Sequence, residues 1–310
     1  MFALACVVPP AQAFSHASEF QEHDVTKSAE VAQIFQLEFQ RGPKVELVRG
    51  DVSQSVMFFR ANVNGEEVWV LLDNGASNSV LDITLAKKLG LRLVKQSGSI
   101  ATPTASLATS RAEGVEFDLP TQFRFTAPMF AVDLLPISKR IDRPIGMVLG
   151  NDILKHLAYV VDPQYKSLLF MKSGEFNLNP SKHKVERIAF KNAIVEAAIN
   201  GKPARLMIDL GSNHALTVFE HSWSKFFSSD SSELERTRSV DASGIINSRF
   251  VKAGTRLELG SFFSQVRTTK TPYPATDFDG HIGFPFFIDK FIVVDESAGV
   301  LTVVDRSPDH

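Results

Sequence analysis

Val68-Trp69-Val70-Leu71-Leu72-Asp73-Asn74-Gly75-Ala76-Ser77 drives an apolar run straight into an acid, with a glycine two residues later. Alone, the stretch is ambiguous. Asn-Gly between apolar runs is a strong hairpin signal, because both residues tolerate positive φ. A surface turn with a solvated aspartate is then the plain reading. The chain carries a second copy, Ala204-Arg205-Leu206-Met207-Ile208-Asp209-Leu210-Gly211-Ser212-Asn213. Upstream of the acids stand matching turns, Val63-Asn64-Gly65 and Ile199-Asn200-Gly201. Gly65 and Gly201, Asp73 and Asp209, and Gly75 and Gly211 are all 136 positions apart, which predicts an internal repeat. Leucine is a poor choice where a turn needs positive φ, so Leu210 defeats the hairpin-tip reading in one of two equivalent places. Both copies share an apolar strand, Asp, any residue, Gly and a small residue.

Each half has a second matching element. The first is Ile145-Gly146-Met147-Val148-Leu149-Gly150, followed by a strand ending at Asp162. The second is Gly280-His281-Ile282-Gly283, followed by a strand ending at Asp295. Gly150 to Gly283 and Asp162 to Asp295 are both 133 positions. Asp162 and Asp295 precede turn residues and read as turn formers.

The four motifs, in this order and over about residues 45–305, resemble the aspartic peptidases of the retropepsin and pepsin clan. The resemblance implies an all-β protein with minor helices, built of two closed barrel lobes around a pseudo-twofold cleft. It divides the chain into lobe 1 over 45–178 and lobe 2 over 179–310. It implies Asp73 and Asp209 as the catalytic pair. The active-site loops are then Asn74, Gly75, Ala76 and Leu210, Gly211, Ser212, with Gly150 and Gly283 as supporting positions. The implied activity is hydrolysis of a peptide or protein substrate by an activated water, with no metal and no cofactor. Retroviral relatives pair two identical chains; here one monomer would supply both halves.

Two carboxylates about 3 Å apart cannot both ionise, so such a pair shares one proton. The ionised member takes a proton from water, and the protonated member donates to the developing oxyanion. Glycines at 75 and 211 let backbone approach the carboxylates. The chain departs from the family pattern after each acid, where Thr or Ser hydrogen-bonds to the opposite loop. Asn74 retains a polar group. Leu210 does not, and a facing backbone group left unpaired would cost about 1–3 kcal/mol. Either the brace is rebuilt asymmetrically or the acids are held less well. The rival reading is a non-catalytic descendant that binds peptides.

The remaining sequence is less specific. A chain of 310 residues has ample core for two domains, and 44% hydrophobic with 22% charged residues is a globular composition. A net charge of −2 gives no electrostatic case for nucleic acid or anionic membrane. The 25 phenylalanines read as core. Residues 1–13 end in Pro9-Pro10-Ala11-Gln12-Ala13 after a short apolar run, which resembles the end of a signal peptide. The charged segment that normally precedes such a run is missing, which points to a start upstream of Met1. The run is too short to span a membrane. Cleavage after Ala13 would remove Cys6, the only cysteine, and with it thiol chemistry and disulfides. Export to a bacterial periplasm or cell surface follows from this reading. Residues 14–44 carry apolar positions 31, 34, 35 and 39 at near-helical spacing, and read as a helical extension or a removable propeptide.

Within lobe 1, Val45–Val48 and Val56–Val63 read as strands and Val80–Leu89 as a short helix. Ser97–Ala112 reads as either a flap hairpin over the cleft or a plain loop. In lobe 2, Ser228–Arg238 reads as a polar loop and Ser239–Ser248 as a second flap. His214, five residues past Asp209, has no second ligand at metal spacing and reads as structural. His156 reads as a packing or surface residue.

Overall fold

The computed structural model describes residues 36–40, 46–101, 106–176, 185–228, 234–240, 246–273 and 276–305. The leader-like segment, the residues before 36, residues 102–105 and 241–245 within the two expected flaps, and the expected joint at 177–184 lie outside the described residues.

The first half runs β1 (Gln36–Phe39), β2 (Val48–Ser53), β3 (Val56–Val63), β4 (Glu66–Leu72), β5 (Val80–Asp82), α1 (Ile83–Lys88) and β6 (Leu93–Ala101). It continues through β7 (Ser106–Leu119), β8 (Phe123–Val132), α2 (Leu135–Ile141), β9 (Ile145–Leu149), α3 (Asn151–Leu154), β10 (Ala158–Asp162) and β11 (Ser167–Met171). The second half has β12 (Val185–Lys191), β13 (Ile194–Ile199), β14 (Lys202–Asp209), β15 (Leu216–Phe219), α4 (Trp223–Phe226) and β16 (Glu235–Val240). It ends with β17 (Ile246–Leu259), β18 (Phe262–Thr271), β19 (Gly280–Gly283), β20 (Lys290–Asp295) and β21 (Val300–Asp305). The protein is all-β with minor helices, as expected.

Closure follows from the pairings. β3 pairs with β4, β4 with β9, β9 with β5, β5 with β8, β8 with β7, and β7 returns to β3. In the second half the ring is β13, β14, β19, β15, β18, β17 and back to β13. A further sheet, β2-β11-β10-β20-β21-β12, draws strands from both halves. Its central contact is the antiparallel pairing of β10 with β20, Ala158 opposite Asp295.

Local chemistry explains these elements. Asn64 and Gly65 have φ of 48° and 82°, and Asn200 and Gly201 have 52° and 75°. Two successive left-handed residues make the tight turn that suits strand twist. Asn64 Oδ1 accepts from the Glu116 N–H at 3.1 Å and Asn200 Oδ1 from the Arg256 N–H at 3.0 Å. Each turn is thereby pinned to the long strand beside it. Along β8, Phe123, Phe125, Ala127 and Met129 are buried while Arg124 and Thr126 face out, the period of two that a half-covered strand requires. Phe117 stacks on Phe125 at 4.8 Å and on Phe123 at 5.3 Å, so these phenylalanines are core. Asp162 Oδ1 accepts from the Tyr165 N–H and Asp295 Oδ1 from the Ala298 N–H, as turn formers do.

Several elements differ from the sequence expectation. Gln36–Phe39 is not the end of a helix but a strand on the edge of β8, with Leu37 opposite Phe125. The open edge of β8 supplies this segment with backbone partners that a strand can use at once. The strand expected at Val45–Val48 starts at Val48 and runs to Ser53. It turns into β3 through Gln54 and Ser55, both at positive φ. Val80–Asp82 is strand, and only Ile83–Lys88 is helix, because the Asp82 carboxylate caps it by accepting from the Leu85 N–H at 2.9 Å. β6 and β7 pair antiparallel as a long hairpin, so the described part of Ser97–Ala112 is strand and not a plain loop. Glu235–Val240, expected to be loop at its start, pairs with β17 as a second long hairpin.

Candidate active site

Asp73 follows directly on β4 and Asp209 ends β14; both are fully buried. The two strands lie parallel to β9 and β19, which sets Leu72 beside Leu149 and Asp209 beside Gly283. The loop after each acid folds back on itself. The Ala76 N–H donates to Asp73 O at 3.2 Å and the Ser212 N–H to Asp209 O at 3.1 Å. The loops are then tied to the supporting elements, the Asn151 N–H to Ala76 O at 2.7 Å and the Phe284 N–H to Ser212 O at 3.1 Å.

The glycines are required by close approach. A Cβ on Gly150 would lie 2.6 Å from the Asn78 backbone, and one on Gly283 would lie 2.8 Å from Ser212 O. Gly75 and Gly211 do something different. A Cβ on Gly75 would lie 2.5 Å from Asp209 Cγ, and one on Gly211 would collide with the Asp73 carboxylate. Each loop glycine therefore sits against the acid of the other half. The structure brings together Asp73, Gly75, Asp209 and Gly211, the residues singled out by sequence.

The brace beneath the acids is asymmetric. Asn74, almost fully buried, accepts the Leu210 N–H on Oδ1 at 2.8 Å. Its Nδ2 approaches Glu296 Oε1 at 3.5 Å, and the Tyr159 hydroxyl reaches the same oxygen at 3.3 Å. Leu210 is itself fully buried among apolar residues. The Leu210 backbone thus has a partner although its side chain can offer none in return. Burial pushes the Glu296 carboxyl above its usual range, against the opposing pull of Asn74 and Tyr159. Burial, reinforced by the charges of Glu296 and Asp73, pushes the Tyr159 phenol well above its usual range.

The acids also have different surroundings. Asp73 Oδ1 accepts from the Ala76 N–H at 3.0 Å. Neither oxygen of Asp209 has a hydrogen-bond partner among the described residues; His281 Nδ1 lies 3.3 Å from Asp209 Oδ2. Beside Asp73, α2 closes a small apolar cluster in which Leu134, Ile137 and Ile141 pack with Leu71, Ala76 and Val148. His214 lies near the second loop with Nδ1 3.0 Å from Thr269 Oγ1. Among the described residues no three His, Cys, Asp or Glu side chains gather as a metal-binding group, and no helix is long and apolar enough to cross a membrane.

Sequence reasoning missed Glu296, Tyr159 and α2. It quoted His281 without giving it a role. A histidine two residues before the supporting glycine, where the first half has Val148, was the available signal. Nothing in the turn Asp295-Glu296-Ser297 marked Glu296.

Residues 59–153 match the family model described as aspartyl protease. The matched span runs from β3 through most of α3 and holds Asp73, Gly75, the β6–β7 hairpin and Gly150; it ends before Asp209. No curated protein matches the chain.

Proposed function

We propose that the chain is an aspartic-type endopeptidase in which Asp73 and Asp209 share one proton and activate a water. The two strand rings are, on this reading, lobes of one repeat, divided near residues 178–179. The observation that carries it is the crossed contact: Gly75 against the Asp209 carboxylate and Gly211 against that of Asp73. Two buried acids have no structural reason to be held facing each other's loops, since burying like charges together is unfavourable. Sharing a proton makes the arrangement tolerable and gives it a use.

In the reaction the ionised acid takes a proton from water as the water oxygen bonds to the carbonyl carbon. The protonated acid gives its proton to the carbonyl oxygen, leaving a neutral tetrahedral diol. The acid that took the proton from water then gives it to the amide nitrogen while the other acid takes a proton from a diol hydroxyl, and the C–N bond breaks to leave a carboxylic acid and an amine. Asn74 keeps the two loops in register by holding the Leu210 N–H. On this reading the hairpins β6–β7 and β16–β17 are the flaps that cover a bound peptide.

One observation favours a second reading. Leu210 gives no side-chain brace and both acids are fully buried, which would suit a non-catalytic peptide-binding protein. Hydrolysis of a mixed peptide library across pH, read by mass spectrometry, separates the two. Cleavage that Asp73→Asn abolishes supports the peptidase. Peptide retention without cleavage at any pH supports the binding protein. Export, which rests on residues 1–13, is tested by sequencing the N-terminus of the mature protein; retention of Met1 would count against it.

A further inference from the structure

The parallel register of β14 and β19 sets Met207 beside His281 and Asp209 beside Gly283. His281 and Asp209 therefore share one face of the sheet, one step apart. The imidazole is fully buried, and neither of its nitrogens has a hydrogen-bond partner among the described residues. Its walls are aromatic: the edge of Phe219 at 5.0 Å, the edge of Tyr273 at 5.9 Å, and Phe278 stacked at 5.9 Å. Thr217 lies directly opposite on β15. An apolar side chain would fill such a box with no polar group to desolvate, and the first ring has Val148 beside Leu71 in the corresponding place. An imidazole buried here is unfavourable unless it pairs with the carboxylate it faces.

We propose that His281 is a positioning residue for Asp209, holding that carboxylate in place against the Gly75 loop. The inference rests on the dyad reading above. With its hydrogen on Nδ1, the imidazole offers a donor to Asp209 Oδ2 at 3.3 Å. Hydrogen bonds in catalytic sites are commonly long without substrate and tighten in the complex. A donor to a carboxylate fixes its orientation; the Ala76 N–H does this for Asp73 at 3.0 Å, and His281 is the group placed to do it for Asp209. Of the side chains named around the ring, only Asp209 and Tyr273 can titrate.

The test uses His281→Val, which copies Val148, and His281→Asn, whose Nδ2 takes the place of Nδ1 without titrating. His281→Val is expected to lower kcat about ten- to a hundredfold with KM little changed. His281→Asn is expected to recover most of that loss. Equal kcat in wild type and His281→Val, or equal losses in the two variants, overturns the proposal. Thermal unfolding of wild type, His281→Val, Asp209→Asn and the double variant tests the pairing without any need for activity. A shift in Tm for the double variant smaller than the sum of the single shifts supports it; additive shifts overturn it. If wild type cleaves nothing and the cycle still shows coupling, the peptidase reading fails while the pairing stands.

Discussion

Gly75→Ala isolates the crossed contact at the centre of the site. Gly75 lies outside the left-handed region, so the substitution adds no backbone strain and its whole effect is steric. The new Cβ would stand 2.5 Å from Asp209 Cγ and 3.0 Å from Oδ2, whereas ordinary contact begins near 3.4 Å. Carboxylate and loop must therefore separate by about 0.9 Å. Overpacking of this kind costs about 1–3 kcal/mol in a close-packed interior. A displacement near 1 Å at a reacting group costs about a hundredfold in rate. The expected result is a fall of about 1–3 kcal/mol in unfolding free energy from urea titration. It should come with a loss of about a hundredfold in kcat against a cleaved peptide. A variant with wild-type stability and kcat within about twofold would refute the reasoning, because Asp209 could not then lie against Gly75.

Three further perturbations read other parts of the structure. Asn74→Ala removes the acceptor of the buried Leu210 N–H; urea unfolding should show a loss of about 1–3 kcal/mol, and Asn74→Thr should recover part of it. Asp82→Ala removes the cap of α1 and the acceptor of the Leu134 N–H; it should cost about 1–2 kcal/mol, read the same way. Glu296→Gln keeps an acceptor for Asn74 and Tyr159 but cannot ionise. The Glu296 carboxyl is raised by burial from 4.5, so the folded state binds the proton more tightly than the unfolded chain. The wild type therefore loses stability as pH rises through the window above 4.5. The variant should be the more stable protein at neutral pH, with the advantage disappearing below 4.5; Tm against pH for both proteins checks the sign.

The parts legible in the sequence were those fixed by local chemistry. Asn64-Gly65 and Asn200-Gly201 need left-handed backbone and show it in their residue types. Gly150 and Gly283 are demanded by backbone passing within van der Waals contact, and their order after the acids survives in both halves, 77 and 74 positions on. The rest depended on partners distant in sequence. Glu296 reaches Asn74 across 222 positions, and no local pattern marks such an arrival. β1 carried a helical spacing, but the free edge of β8 decided its state. α2 has only seven residues, too few for a periodic signal, and is held by the apolar face it covers. The Asn74 amide joins the halves in both senses, accepting the Leu210 N–H on Oδ1 and donating from Nδ2 to Glu296 Oε1.

On the dyad reading Asp73 and Asp209 act as one unit. The most direct measurement is kcat for Asp73→Asn, Asp209→Asn and the double variant on one cleaved peptide. Groups that share a single proton fail together, so each single substitution should remove activity to background and the double variant should lose no more. Substantial activity in either single variant, or losses that multiply in the double, would contradict it.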